Sequence, residues 1–352
     1  MHTTRKGFDY NAADAADSLV ACNTLFTEIT HTPLDDACVK DIFEYSSPAR
    51  KKLERVVNAI MNDPHLVDTS ISGRSTGAMK TKDIWSEGRL YFKRRNIHLG
   101  QFYEFTARYL NDHLAADARL CAMVAVGRTL ILEYAPGMKL AEKMTAGTVM
   151  DAQITQHLAL IKTYYALVPN LLEKYRTIAT QYFPQVSFDT LFKKEDIKLK
   201  LAATVRGISG SLAISIPQPA IDRALAYYLE NRTVPFLDSS PTNTKIDPLT
   251  NSLKVYDIRI HQLTMPLREF VQVISYTPNF REYTATHLQL KDEDHEPLEY
   301  ALLYYNLRSL YLSLKYREQN IIHQCRNNLS LLHYTTPIPL IAEITAGFSE
   351  KK

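Results

Sequence analysis

The arrangement of hydrophobic positions predicts a helix that begins near residue 48. Ser47 is a suitable N-cap, Pro48 suits the first turn, and Asp63-Pro64 ends the pattern. Residues 1–64 are therefore expected to form a helical extension ahead of the rest of the fold. The apolar side chains that recur at helical spacing on one face are Leu53, Val56, Val57, Ile60 and Met61.

The pattern then changes to short runs that are typical of strands. We expect strands over residues 66–71, 78–85 and 89–93, with a small-residue loop at 72–77 and a turn at 86–88. These three segments predict a strand meander.

Helical spacing returns at Gly100, where Phe102 and Phe105 belong to one apolar face. Residues 126–134 (VGRTLILEY) are then expected to form one buried strand, which ends at the break Pro136-Gly137.

Beyond this break the pattern is mostly helical, over residues 152–182, 219–230 and 299–316. A hairpin is expected between the second and third of these segments, because residues 244–247 and 253–257 are strand-like and a turn-rich stretch joins them. A strand-rich part followed by a helical part predicts an α+β fold with two lobes and a cleft between them.

The predicted domain organisation has three parts. They are an extension at residues 1–64, a first lobe at 65–134 and a second, mostly helical lobe at 135–352.

Composition excludes several classes of protein. The 352 residues include 41 basic and 38 acidic side chains, a net charge of +3 that demands no nucleic-acid or anionic-membrane partner. The four cysteines are far apart and form no CxxC pair, which argues against a zinc site or a disulfide scaffold. No signal peptide and no apolar run of about 18 residues is found, so we expect a cytoplasmic protein without a membrane span, while secretion without a signal stays open.

The strongest chemical signal lies at residues 236–260. Asp238, Pro241 and Asn243 form the pattern DxxPxN, and Asp257 follows Asn243 by 257 − 243 = 14 residues, at the end of the expected hairpin. Phosphoryl transfer needs a carboxylate that orients the attacking hydroxyl and oxygen ligands that hold Mg²⁺ against a triphosphate. Because a hairpin brings its two ends together, Asn243 and Asp257 are expected to reach one metal cluster.

This segment resembles the catalytic loop HGDxxPxN and the later metal-binding Asp of the aminoglycoside phosphotransferase and choline kinase-like family, whose fold is protein-kinase-like. The resemblance implies that Asp238 is the catalytic base and that Asn243 and Asp257 bind metal. Two departures are visible, because Phe236-Leu237 replaces His-Gly and Ile258-Arg259 follows Asp257.

The same resemblance assigns roles upstream. Lys93 ends the strand RLYFK, where kinase-like folds carry the lysine that contacts nucleotide phosphates, and Arg94 is the competing choice. Glu104, which is 104 − 93 = 11 residues further on, is expected to pair with Lys93 on an αC-type helix.

The segment at residues 130–140 resembles the hinge of these enzymes, so the backbone of Glu133, Tyr134 and Ala135 is expected to bind adenine. Gly73 and Gly77 are the candidates for a phosphate-covering loop, although they do not form GxGxxG.

These expectations describe a phosphotransferase that uses ATP and Mg²⁺ and transfers the γ-phosphoryl group to a hydroxyl, most simply of a small molecule. An atypical protein Ser/Thr kinase and a nucleotide-binding pseudokinase that acts as an interaction module are the alternatives. The acidic run at residues 292–294 is either a surface loop or part of a site for a cationic acceptor. The acceptor and the oligomeric state stay open.

Overall fold

A computed structural model of the protein describes residues 12–62, 82–84, 90–194, 218–274, 297–298, 300–306 and 309. The chain divides into two compact units. Unit 1 comprises Met1–Leu114, Arg119–Ala135 and Thr180–Pro184, and unit 2 comprises Ala115–Ala118, Pro136–Ala179 and Gln185–Lys352.

The first 133 residues contribute four helices and five strands to the part of the chain that the structure describes. The helices are α1 (Ala12–Thr30), α2 (Asp36–Glu44), α3 (Pro48–Asn62) and α4 (Ile97–Asn111). The strands are β1 (Lys82–Ile84), β2 (Leu90–Arg94), β3 (Ala118–Leu120), β4 (Met123–Val126) and β5 (Thr129–Glu133).

Helix α3 begins and ends where the sequence predicts, and the backbone N–H of Arg50 donates to Ser47 Oγ at 3.1 Å as an N-cap bond. Helices α1 and α2 precede it and were not predicted as separate elements.

Unit 1 is built around an antiparallel sheet with strand order β1-β2-β5-β4. The single strand expected over residues 126–134 is wrong, because Gly127 has a φ of 51° and the chain turns there between β4 and β5. The register places Lys93 opposite Leu130, and Leu130 opposite Ala125. Residues directly opposite each other share one face of a sheet, so Lys93 and Ala125 lie on the same face.

The two faces of this sheet are covered by different helices. Leu90, Phe92 and Ile131 join the buried side chains of α1 and α3 in one hydrophobic cluster. On the opposite face, α4 approaches β4 so closely that a Cβ on Gly100 would lie 3.4 Å from the Cβ of Ala125. The extension is therefore part of the core of unit 1.

A buried ionic network ties α3 to α4. Arg50 donates two hydrogen bonds of 2.8 Å to the carboxylate of Glu104, and a third to the carbonyl of Ala125. Arg108 donates to Glu104 at 3.2 Å, and Asp41 accepts from Arg50 at 3.1 Å. Both Arg50 and Glu104 are fully buried, so each charge depends on its partners for solvation.

The rest of the described chain contributes helices and short strands to unit 2, except that the helix Asp151–Tyr182 ends in the segment Thr180–Pro184 of unit 1. The helices are α5 (Leu140–Thr145), α6 (Asp151–Tyr182), α7 (Phe188–Leu191), α8 (Gln218–Glu230) and α9 (Arg268–Ile274), and residues 300–306 are also helical. The strands are β6 (Met138–Lys139), β7 (Lys193–Lys194), β8 (Val234–Phe236), β9 (Thr244–Ile246), β10 (Leu253–Val255) and β11 (Arg259–Thr264).

Strands β9 and β10 form the predicted antiparallel hairpin, in which Thr244 lies opposite Val255. Asp247 shapes the turn, because its Oδ1 accepts hydrogen bonds from the N–H groups of Leu249 and Thr250. Strand β11 lies between β7 and β8 in a separate three-stranded sheet.

The predicted fold class is confirmed, since small, mainly antiparallel sheets and many helices make up an α+β chain with a mainly helical second part. The three-part division at residues 64 and 134 stays a prediction. The helices of the described segments include none with the length and apolar character to cross a membrane.

The buried network yields a test of stability. Arg50→Met should lower the free energy of unfolding by about 3–5 kcal/mol, because it leaves a buried carboxylate short of its main partner. Lys52→Met, at an exposed position of the same helix, is the matched control. Urea unfolding measures both, and equal midpoints for the two variants would show that the network adds no stability.

Candidate active site

The loop that carries Asp238 leaves strand β8 in an unusual conformation. Asp238 has a φ of 59°, in the left-handed region that a residue with a side chain rarely adopts. The chain then forms a single turn of 3₁₀ helix at Pro241–Asn243 and enters β9. Backbone strain of this kind persists only where neighbouring groups hold it, and it is common at functional sites.

Glu269, in the first turn of α9, holds this loop. Its Oε1 accepts the N–H of Asp238 at 2.9 Å, and its Oε2 accepts the N–H and the hydroxyl of Ser239 at 2.9 and 3.0 Å. Burial and the nearby Asp238 carboxylate raise the pKa of Glu269 to about 7, while these hydrogen bonds oppose the shift. The sequence contains no motif that marks Glu269, so sequence reasoning missed it.

The Asp238 carboxylate is buried and has two side-chain partners. Nε of Arg259 lies 2.9 Å from its Oδ2, and Nε2 of Gln272 donates to its Oδ1 at 3.1 Å. Burial raises the pKa of Asp238, Arg259 is the main influence that lowers it, and the negative charge of Asp257 raises it further. The structure therefore surrounds the predicted base with one cation, one amide and a second carboxylate.

The hairpin brings Asn243 and Asp257 to the same end of β9 and β10, as the sequence predicts. The carbonyl oxygen of Asn243 accepts the N–H of Tyr256 at 3.0 Å, next to Asp257. Nδ2 of Asn243 donates to the carbonyl oxygen of Asp238 at 3.0 Å, so the same side chain also braces the loop. Asp238, Asn243 and Asp257 thus converge within unit 2.

The donor set of this hairpin end fits Mg²⁺, which prefers hard oxygen ligands and usually takes one or two carboxylates from the protein. Asp257 supplies a carboxylate, and Asn243 Oδ1 accepts no hydrogen bond from the described residues. Within those same residues, no cluster of three His, Cys, Asp or Glu side chains could hold a metal ion. A metal at this place would therefore depend on two protein ligands, and its remaining positions would go to phosphate oxygens and water.

Phe236 and Leu237 take the place of the family's His-Gly, and the structure shows what they contact. The guanidinium of Arg268 lies over the ring of Phe236, 3.9 Å from its centre, and Leu237 is fully buried. Nη1 of Arg268 also donates to Thr264 Oγ1 at 3.1 Å. Packing between β8, β11 and the start of α9 thereby anchors the strand that leads into Asp238.

Helix α6 lies behind the loop and supplies three more polar side chains that sequence reasoning missed. The hydroxyl of Tyr165 accepts the N–H of Glu269 at 3.2 Å, and the hydroxyl of Tyr164 donates to the carbonyl of Pro235. His157 is fully buried beside Ser239, and burial lowers the pKa of its imidazole to about 4. Their sequence signal is only that of a helix face, with no motif.

The residues predicted to bind the nucleotide from the first lobe lie in unit 1. Lys93 is half-buried on β2, on the sheet face that α4 covers. Arg50, Arg108 and the N–H of Ala125 all bind the Glu104 carboxylate, and a pairing of Glu104 with Lys93 stays a prediction. Glu104 is turned toward α3 because Arg50 brings a guanidinium fork that matches both of its oxygens. A phosphate contact by Lys93 stays a prediction.

The hinge candidates follow β5. The N–H of Glu133 donates to the carbonyl of Ala122 at 2.9 Å, and its carboxylate accepts from Ala122 N–H and from Arg119. Tyr134 packs on Tyr91 with ring centres 5.3 Å apart, and Ala135 is buried. Adenine binding by this backbone stays a prediction.

Several candidates lie outside the described residues. They are Gly73 and Gly77 of the loop at 72–77, and the acidic run at 292–294.

The contacts of Glu269 predict a loss of stability on amide replacement. In Glu269→Gln an NH₂ group faces backbone N–H donors, so at least one of them loses its acceptor, which should lower the free energy of unfolding by about 1–3 kcal/mol. Urea unfolding at neutral pH measures the change, with the exposed Glu230→Gln as control. An unchanged midpoint for Glu269→Gln would contradict the bracing role.

Burial of His157 predicts a pH effect. The unfolded chain binds a proton at this histidine near pH 6.5 and the native protein only near pH 4, so stability is lost as the pH falls through that window. The shift corresponds to about 3 kcal/mol. As the pH is lowered from 7 to 4, the wild type should therefore lose about 3 kcal/mol more free energy of unfolding than His157→Gln does. Urea unfolding at each pH measures the difference.

The exposed His31→Gln is the matched control for this pH series and should follow the wild type. If the difference between His157→Gln and the wild type is the same at every pH, the buried neutral state of His157 is wrong.

Comparison with known proteins gives the following result. No protein-family model matches the chain, and none of the curated proteins does. A search of solved structures found similarity to the aminoglycoside phosphotransferase APH(2")-IIia in complex with GDP and kanamycin, at 13% identity and a TM-score of 0.44, over 80% of this chain and 98% of that one. A thermostable mutant of the aminoglycoside phosphotransferase APH(4)-Ia is similar at 15% identity and a TM-score of 0.44, over 77% and 96%.

The choline kinase from Cryptosporidium parvum Iowa II is similar at 12% identity and a TM-score of 0.40, over 84% of this chain and 97% of that one. These are the kinds of protein that the DxxPxN segment was expected to resemble. At such identities and scores, any activity of this chain has to be argued from its own residues.

Proposed function

We propose that the protein is a phosphotransferase that transfers the γ-phosphoryl group of ATP to a hydroxyl of a small molecule with the help of Mg²⁺. The observation that carries the proposal is the convergence of Asp238, Asn243 and Asp257 at one end of a hairpin, with Asp238 held in a left-handed conformation. Phosphoryl transfer depends on positioning and charge, and this arrangement supplies both.

Each of the three residues has a distinct task. Asp238 orients the acceptor hydroxyl and takes its proton, and Glu269 fixes the backbone from which that carboxylate projects. Asn243 and Asp257 would hold Mg²⁺, which when bound neutralises charge on the transferred phosphoryl group.

The rest of the predicted nucleotide site belongs to the same proposal. Lys93 would contact the phosphates, and the backbone from Glu133 to Ala135 would contact the base. Replacing Lys93 with Met should then weaken nucleotide binding without a change in the hairpin.

A nucleotide-binding pseudokinase that acts as an interaction module is the second candidate. Two contacts favour it, since Glu104 is held by Arg50 and the carboxylate of Asp238 already carries an ion pair with Arg259. Both candidates predict nucleotide binding, and only the first predicts turnover.

A thermal-shift screen with ATP, GTP and ADP, with and without Mg²⁺, tests the class. A ligand that binds only the folded state raises its stability, so a Mg²⁺-dependent increase in Tm is expected for triphosphates. Turnover of ATP to ADP with a mixed panel of alcohols then separates the enzyme from the pseudokinase.

Two carboxylate replacements test the roles. Asp238→Asn should lower kcat by about 10²–10⁴ while Mg-ATP still binds, because the lost group acts in the transition state.

Asp257→Asn should weaken Mg-ATP binding about tenfold, or by ~1.4 kcal/mol, and leave metal-free nucleotide binding as it was.

Calorimetric titration and ADP formation measure these effects, and the exposed Asp151→Asn is the matched control. If Asp238→Asn turns over ATP as fast as the wild type, Asp238 is not the base. If Asp257→Asn binds Mg-ATP as tightly as the wild type, Asp257 is not a metal ligand.

A further inference from the structure

Arg259 is the charged partner of the predicted base, and its side chain is open to solvent. It is the first residue of β11, and its Nε lies 2.9 Å from Oδ2 of Asp238. The Arg259 side chain is 46% exposed, whereas that of Asp238 is 7% exposed. One end of this ion pair is therefore buried and the other faces outward.

The outward end of Arg259 has unused donors. Nη1 and Nη2 carry four N–H groups, and none of them has a hydrogen-bond partner among the described residues. Other buried or half-buried arginines use these atoms inside the protein, as Arg50 does with Glu104 and Arg108 with the carbonyl of Ile29. Nη1 and Nη2 of Arg259 differ from those of Arg50 and Arg108, because they can still donate hydrogen bonds to a bound molecule.

Charge compensation alone does not account for this geometry. Asp238 needs a cation because it is buried, and Nε of Arg259, 2.9 Å from its Oδ2, meets that need. Nε2 of Gln272 donates a hydrogen bond to the same carboxylate. Oε1 of Gln272 is buried without a partner among the described residues. Two polar groups beside Asp238 thus retain hydrogen-bonding capacity that the described protein does not use.

The chemistry of the fork selects the kind of group that it binds. A planar guanidinium edge matches the two oxygens of a carboxylate or a phosphate and forms two parallel hydrogen bonds with them. A hydroxyl that donates to Asp238 lies within about 3 Å of its carboxylate, and so lies next to Arg259. The guanidinium attracts an anion placed beside this hydroxyl and repels a cation placed there.

We propose that Arg259 binds an anionic group of the acceptor, a carboxylate or a phosphate monoester, beside the hydroxyl that Asp238 activates. This inference rests on the proposed phosphotransferase function. In the reaction the hydroxyl oxygen forms a bond to the γ-phosphorus of ATP, and its proton goes to Asp238. The bond from that phosphorus to the β,γ-bridging oxygen breaks, and ADP leaves with the electron pair. The acceptor class is therefore an anionic alcohol, which differs from the cationic acceptor that the acidic run suggested.

Anion binding can be measured without turnover. Calorimetry would titrate glycerol 3-phosphate, glycerate and inorganic phosphate into the full chain with Mg²⁺ and a non-hydrolysable ATP analogue, and glycerol is the neutral control. Saturable binding is expected for the phosphate ester or the carboxylate and not for glycerol. Arg259→Gln should weaken it by about tenfold or more, and Arg259→Lys, which keeps the charge but loses the fork, by less.

A matched control uses another exposed arginine of unit 2. Arg176 lies on α6, 176 − 165 = 11 residues beyond Tyr165, which is about 16 Å along the helix from the contact with Glu269. Arg176→Gln removes the same charge and should leave anion binding unchanged. Equal weakening in the Arg176 and Arg259 variants would show a general charge effect and overturn the assignment.

Other outcomes separate this inference from the proposed function. If none of the three anions binds the wild type, or if Arg259→Gln binds them as tightly, the anion site is wrong. Turnover of choline or kanamycin in preference to glycerol 3-phosphate and glycerate would confirm the phosphotransferase and overturn the role of Arg259. Absence of Mg-ATP binding, with anion binding that depends on Arg259, would instead overturn the proposed function.

Discussion

The candidate site depends on one interaction, in which the Glu269 carboxylate binds the backbone of Asp238 and Ser239. A left-handed conformation at a residue with a side chain costs about 1–2 kcal/mol, and a buried carboxylate also loses hydration. Three donors to one carboxylate offset part of these costs at the same place, and the raised pKa of Glu269 shows that burial still disfavours its charge. Because Glu269 holds the backbone N–H groups of Asp238 and Ser239, Asp238 projects from a fixed backbone although Leu237, and not a glycine, precedes it.

The charged groups around the Asp238 loop have opposite effects on stability. Burial raises the pKa of Glu269 from its ordinary value of 4.5 to about 7, so the stability that this shift contributes is present at low pH and is lost as the pH rises through that window. His157, beside Ser239, contributes in the opposite direction over nearly the same window. Arg259 and Arg268 supply the positive charge that makes two neighbouring carboxylates tolerable. The loop thus combines buried negative charges with nearby positive charges. Removing a charge of one sign leaves the charges of the other sign without compensation.

The sequence predicts the elements whose signals are local. Ser47-Pro48 and the apolar spacing identify α3, and the turn residues between β9 and β10 identify the hairpin that brings Asn243 and Asp257 together. It does not predict partners that are distant along the chain. Arg50 is 54 residues from Glu104, and Glu269 is 31 residues from Asp238, so only folding reveals these pairs. The turn at Gly127 was missed because the apolar residues on both sides of it make β4 and β5 resemble a single buried strand.

The N-terminal extension is part of the core of unit 1. Leu53 and Val57 of α3 share a hydrophobic cluster with Phe92, which is next to Lys93 on β2, and Arg50 fixes the one glutamate of α4. Rotating Glu104 away from α3 would break both of its hydrogen bonds to the buried guanidinium of Arg50, at a cost of several kcal/mol. The position of α4 relative to its sheet is therefore set by α3.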